Sequence, residues 1–155
     1  HLIRTFIKKK DDRFYVMIET EPKIYILDPQ KLEITKEVKL QMPDNFIPAN
    51  EKTFIRRPDK PVPYQYEEWE LSYSRVENFL VSSDYLIVQI RNPLGQKGKF
   101  ELLFYNPESF VLEKSLVIND ALLAEKNGAY YFLENGDPGL DEEAEKLIIN
   151  VYKSR

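Results

Sequence analysis

Two phrases of this chain repeat one pattern. Residues 24–34 read IYILDPQKLEI and residues 102–112 read LLFYNPESFVL. In each, an apolar run meets Asp-Pro or Asn-Pro, a few residues intervene, and the chain turns apolar again. Proline fixes φ and donates no backbone hydrogen bond, and Asp or Asn accepts bonds from the backbone just ahead of it. Each phrase is therefore a strand, a corner and a second strand. A corner that recurs with its flanking strands implies that the unit around it recurs as well.

β-Rich runs with short polar joints fill in that unit. Strands are expected over 2–8, 13–19, 23–28 and 34–40, joined at Lys10-Asp11-Asp12, Glu21-Pro22 and Asp28-Pro29-Gln30-Lys31. A second set covers 76–81, 85–91, 99–105 and 111–118, with turns over 92–98 and 106–109. A third covers 122–125, 129–134 and 146–153, with Lys126-Asn127-Gly128 as its first turn, and lacks a fourth strand. Residues 1–155 thus read as one all-β unit, with four-stranded antiparallel blades at about 2–41, 76–118 and 121–153 and an insertion at about 42–75. Repeated four-stranded meanders are the mark of a β-propeller, whose last blade often borrows a strand from the other chain terminus. The alternative is a β-sandwich of roughly ten strands. Helix is expected nowhere, save one turn around 140–145.

Three blades do not close a ring, since closure takes at least four. The outer faces of the first and third blades should then carry apolar side chains for neighbours, with Phe14, Val16 and Ile18 on one strand and Tyr131 and Leu133 on another. The chain opens on His1, without methionine and close to a strand, so it reads as a fragment. On that reading any signal or lipid-attachment segment lies upstream, and the chain either self-associates or pairs with an N-terminal half.

The composition narrows the function. Hydrophobic residues make up 43%, enough apolar surface for a folded core. Lys and Arg number 22 against 26 Asp and Glu, so the broad basic face that nucleic acid requires is absent. The short basic runs, Lys8-Lys9-Lys10 and Arg56-Arg57, read as solvated strand ends and loops. No apolar run is long enough to cross a membrane as a helix. Cysteine is absent, which removes disulfides and thiolate chemistry. The only histidine is His1, so a Ser-His-Asp arrangement is not available to Ser82-Ser83 or any other serine. No motif calls for a cofactor, and no catalytic residue is assigned.

Two segments are candidates for binding. Residues 58–73, PDKPVPYQYEEWELSY, hold three prolines together with Tyr64, Tyr66, the single Trp69 and Tyr73. Such rings give large contact area for few rotamers and suit a sugar or a protein partner. They serve equally to cover the core beneath a long connection. The second, residues 134–145, crowds Asp137, Asp141, Glu142 and Glu143 into one turn. Oxygen-rich loops suit calcium, but this spacing fits no EF-hand, and a solvated hairpin loop without metal is expected.

The phrases KIYILDPQKLEITKEVKL and FELLFYNPESFVLEKSLVI, with the ending NGAYYFLENGDPGLDEEAEKLIINVYKSR, resemble the C-terminal half of six-bladed, TolB-like β-propeller proteins. Many members of that family are bacterial envelope lipoproteins. The resemblance covers most of the chain outside residues 42–74 and implies a periplasmic or surface-exposed module that binds protein or carbohydrate. It transfers no catalytic residue. The rival expectation is part of a propeller enzyme, acting for example on carbohydrate, whose active site needs an N-terminal half.

Overall fold

The computed structural model describes residues 3–50, 58–59, 61–96, 98–134 and 148–153. These residues form an all-β architecture of three antiparallel sheets with one short helix. The first sheet is β1 (Thr5–Lys10), β2 (Arg13–Ile18), β3 (Lys23–Asp28) and β4 (Glu33–Lys39), in chain order. The helix α1 (Val62–Glu70) lies in the connection to the second sheet. That sheet is β5 (Arg75–Val81), β6 (Leu86–Arg91), β7 (Phe100–Tyr105) and β8 (Leu112–Ile118), again in chain order. The third holds β9 (Ala121–Lys126), β10 (Ala129–Leu133) and β11 (Ile149–Lys153).

The repeated corner is the same hydrogen-bonded turn twice. Asp28 Oδ1 accepts from the amides of Gln30 and Lys31 at 2.8 and 3.2 Å, and Leu32 N–H donates to the Asp28 carbonyl at 2.8 Å. Asn106 Oδ1 accepts from Glu108 and Ser109, both at 3.0 Å, and Phe110 N–H donates to the Asn106 carbonyl at 2.9 Å. Both turns end on a non-glycine residue in the left-handed region, Leu32 at φ 55° and Phe110 at φ 60°. That conformation strains an L-residue by roughly 1–2 kcal/mol. At Phe110 burial in the core offsets it, whereas Leu32 is exposed. The β9–β10 hairpin turns on Asn127-Gly128, both at positive φ, as a two-residue turn of matching twist requires.

The sheets stack face to face in chain order, and the second lies in the middle. Every residue of β6 and all but Phe104 of β7 are buried. Their sequences, LIVQIR and FELLFY, lack the polar alternation of strands with one wet face. One face of the middle sheet, with Phe79, Val88, Ile90, Leu103 and Tyr105, joins Tyr15, Met17, Ile24 and Ile26 of the first. The other, with Leu80, Ile87 and Leu102, joins Leu122 and Phe132 of the third. Neighbouring sheets approach most closely through their first strands, β1 against β5 and β5 against β9.

The third sheet is pinned by side-chain amides. Fully buried Gln89 donates to the Asp120 carbonyl and accepts from Leu122 N–H, each at 3.1 Å. Asn78 Nδ2 donates to the Leu122 carbonyl at 2.8 Å.

Two expectations are corrected. The helix α1 falls where none was foreseen. Pro63 sits in its first turn, where a missing N–H costs no bond, and the following YQYEEWE holds good helix formers. The turn around 140–145 and the acidic turn that contains it, from residue 135 onward, lie outside the described residues, as do His1 and Arg56-Arg57. Leu133 is not on an open face. It packs with Phe100 and Ala121. Phe14, Val16, Ile18 and Tyr131 are half-buried.

Candidate functional site

α1 begins at Pro61, whose side chain makes no capping bond. It ends at Leu71, whose amide donates to the Glu67 carbonyl at 3.0 Å, while Ser72 Oγ donates to the Trp69 carbonyl at 2.6 Å. One helical turn separates Gln65 from Trp69, so the two share a face. Gln65 is buried and Trp69 half-buried on it. Trp69 meets the Tyr73 ring at a centroid distance of 5.0 Å, tilted by 58°. The four aromatics of the segment thus separate into two groups. Tyr64 and Tyr66 face solvent, 61% and 37% exposed, whereas Tyr73 is 2% exposed and belongs to the interior.

Beneath the helix lies a charge cluster that no local sequence pattern announces. Glu70, the last residue of α1, pairs with Arg75 at 3.2 Å. Arg75 Nε stands 3.4 Å from a Glu77 oxygen and 3.7 Å from a Glu19 oxygen. Glu77 also receives Arg91 Nε at 3.2 Å and Arg4 at 3.0 Å. Arg4 clamps Glu19 twice, by its guanidinium at 3.2 Å and its backbone N–H at 2.9 Å. The carboxylates of Glu19 and Glu77 are almost wholly buried. The Tyr73 hydroxyl is buried close by and has no hydrogen-bond partner among the described residues.

The electrostatics follow from burial opposed by pairing. Burial pushes the Glu77 carboxyl up, but the hydrogen bond and charge of Arg4, with Arg91 and Arg75, outweigh it and hold the group below the usual carboxylate range. Burial pulls the Arg4 guanidinium down, and Glu77 and Glu19 more than reverse that. The Tyr73 phenol is pushed up, first by burial and then by the Glu19 charge. The shifts of Glu77, Arg4 and Tyr73 all run away from neutrality, so each of the three keeps one charge state at neutral pH. The cluster joins the residues beside β1 and β2, Arg4 and Glu19, to β5 and β6, and reaches the helix through the Glu70–Arg75 pair.

Ser82 closes a turn, its Oγ donating to the Tyr85 carbonyl and accepting from the Tyr85 amide at 3.0 Å each. Among the described residues no three His, Asp or Glu side chains stand together as a metal site requires. Nor is any helix there long and apolar enough to cross a membrane. Arg4, Glu19, Glu77 and Arg91 went unforeseen because their partners are distant in the chain. The one available signal was charge set at the margins of apolar strands, as in RVENF and LIVQIR. Compared with known proteins, the chain matches no protein-family model and no curated protein.

Proposed function

We propose that this chain is a segment of a β-propeller that serves the bacterial cell envelope as a non-catalytic binding module, taking carbohydrate or protein on the aromatic surface of α1. The observation that carries the propeller reading is the order of the sheets. Three of them stack face to face in chain order with their first strands adjacent, and the middle one is buried on both faces. Sheets around an axis approach in that way, inner strand to inner strand, while a sandwich has only two layers. A ring takes at least four blades, so further sheets would stand against the open faces of the first and third. The envelope assignment is supported by the resemblance to TolB-like proteins. The binding assignment is supported by Tyr64 and Tyr66, exposed on a helix whose last residue, Glu70, pairs with Arg75.

Trp69 is the single tryptophan and lies three residues from Tyr66 on α1, so its fluorescence reports on occupancy. We expect titration with maltohexaose, chitohexaose or soluble peptidoglycan fragments to give a saturable change for one glycan class. Tyr64→Ala should weaken it at least tenfold with little change in Tm, since Tyr64 is 61% exposed. A product of hydrolysis in any mixture would contradict the non-catalytic reading. A large fall in Tm on substitution would show that the ring serves the fold.

A further inference from the structure

One arginine beneath α1 is short of acceptors. The guanidinium of Arg75 presents a fork of N–H donors, yet its one hydrogen bond among the described residues runs from Nη1 to Glu70 at 3.2 Å. Its Nε is buried and makes none, although oxygens of Glu77 and Glu19 stand at 3.4 and 3.7 Å. Tyr73, 2% exposed, keeps a hydroxyl with no partner there either. Burial shifts that phenol most, and the charges of Glu19, Glu70, Arg75 and Arg4 follow, so the hydroxyl lies among them. Buried donors without acceptors are costly and rare, and these two point to an acceptor that the chain does not itself supply.

Glu70 differs from the other two carboxylates around Arg75. Those of Glu19 and Glu77 are almost wholly buried and are held by Arg4 and, at Glu77, by Arg91 as well. Glu70 is 26% exposed. It comes from α1, six of whose nine residues are exposed and whose first turn has no side-chain cap. An element so lightly seated opens locally at low cost. We propose that Arg75 and the Tyr73 hydroxyl form a carboxylate-binding site whose resident is Glu70, and that the carboxylate of an acidic glycan takes its place. A guanidinium fork receives both oxygens of a carboxylate, whereas Glu70 offers it one.

The helix surface favours a glycan over an acidic peptide. Tyr66 and Glu70 share a face of α1 one turn apart, which sets them about 6 Å from each other along the axis, roughly the span of one sugar ring. Tyr66 is exposed, and its ring offers a flat apolar face to a pyranose. A uronate unit next to a sugar stacked on Tyr66 would set its carboxylate where that of Glu70 now lies.

The proposal rests on the reading of α1 as a glycan-binding surface and names the class of glycan. The probes are hexagalacturonate, its methyl ester, which keeps the rings and loses the charge, and hexaglutamate as an acidic peptide. Binding to the whole chain is followed by Trp69 fluorescence and by the Arg75 Nε–H resonance. The expected result is a saturable shift of that resonance with hexagalacturonate, and binding of the ester at least tenfold weaker. Glu70→Gln removes the resident charge and should tighten hexagalacturonate binding at least threefold, whereas a merely structural Glu70 would leave the affinity unchanged or lower it. Tyr73→Phe keeps the buried ring, so it should leave Tm unchanged or raise it while weakening binding at least threefold. Equal binding of acid and ester, or no gain in Glu70→Gln, overturns the proposal. So does tighter binding of hexaglutamate than of hexagalacturonate, which assigns the site to an acidic peptide. If hexagalacturonate leaves Arg75 unmoved while a neutral glycan still changes Trp69 fluorescence in a Tyr64-dependent way, the acid site falls and the module reading stands. If no glycan of either charge does so, both fall.

Discussion

The middle sheet meets its two neighbours by different means. Against the first sheet it has a continuous apolar cluster closed at one end by the Arg4–Glu19–Glu77–Arg75–Arg91 clamp. Against the third it has a smaller cluster, two side-chain amides and a cavity. The first contact is filled and charge-locked, and the second is hinged on Gln89 and Asn78 and open at its margin. The difference shows that equal burial on the two faces of a strand does not imply equal packing. β6 is buried throughout, yet the residues its alternate side chains meet differ in number and kind.

The largest effect is expected at the charge-locked contact. Glu77→Gln removes one carboxylate from among three guanidiniums, and breaking a buried pair in this way destabilises by about 3–5 kcal/mol. The loss is read from urea denaturation at neutral pH. The pH dependence sharpens the point. Glu77 titrates lower in the folded than in the unfolded chain, so its contribution is present above the ordinary glutamate value of about 4.3 and is lost as the pH falls through and below it. In Glu77→Gln that part of the acid slope should vanish. An unchanged slope would show that the clamp contributes nothing to folding.

A smaller effect is expected at the hinge. Gln89→Leu puts an apolar side chain of similar size in place of the amide and leaves the Asp120 carbonyl and Leu122 amide without their partner. The expected loss is about 1–3 kcal/mol. Hydrogen exchange should quicken in β9 and β10 and stay slow in β6 and the first sheet. Uniform quickening would mean that the two contacts unfold as one.

Much of this architecture is legible in the sequence, and the limit is physical. The strands could be read because their turns are local chemistry, with Asp28 and Asn106 each capping the amides just ahead. The helix was missed because three prolines suggest a stiff extended connection, although proline is well suited to a first helical turn. Tyr73 was grouped with Tyr64 and Tyr66 by proximity in sequence, but it follows the helix and turns inward. The clamp could not be read because Arg4, Glu19 and Glu77 are brought together only when sheets stack, and nothing near each residue indicates its partner.

The smallest effect belongs to the exposed residue of the first corner. Leu32 is exposed at φ 55°, so its side chain gains nothing in return for the left-handed backbone. Asn tolerates that region, and Leu32→Asn should stabilise the chain by up to about 1 kcal/mol. The equivalent Phe110→Asn should destabilise it, because Phe110 is a core residue. The same sign at both corners would break the comparison between them.

The central claim is that the first sheet has one face built for a neighbour. Ile7 and Ile34 are exposed, and Phe14, Val16, Tyr25 and Leu27 are half-buried. β1–β2 pairing sets Ile7 against Val16, and β2–β3 pairing sets Val16 against Tyr25 and Phe14 against Leu27, so they form one apolar surface. Sedimentation velocity of the pure chain across the micromolar range tests this most directly. The account predicts concentration-dependent association that Ile7→Lys with Val16→Lys suppresses and Leu116→Asp, on β8 of the middle sheet, leaves in place. A chain that stays monomeric at every concentration, with the lysine variant indistinguishable from it, would contradict the account.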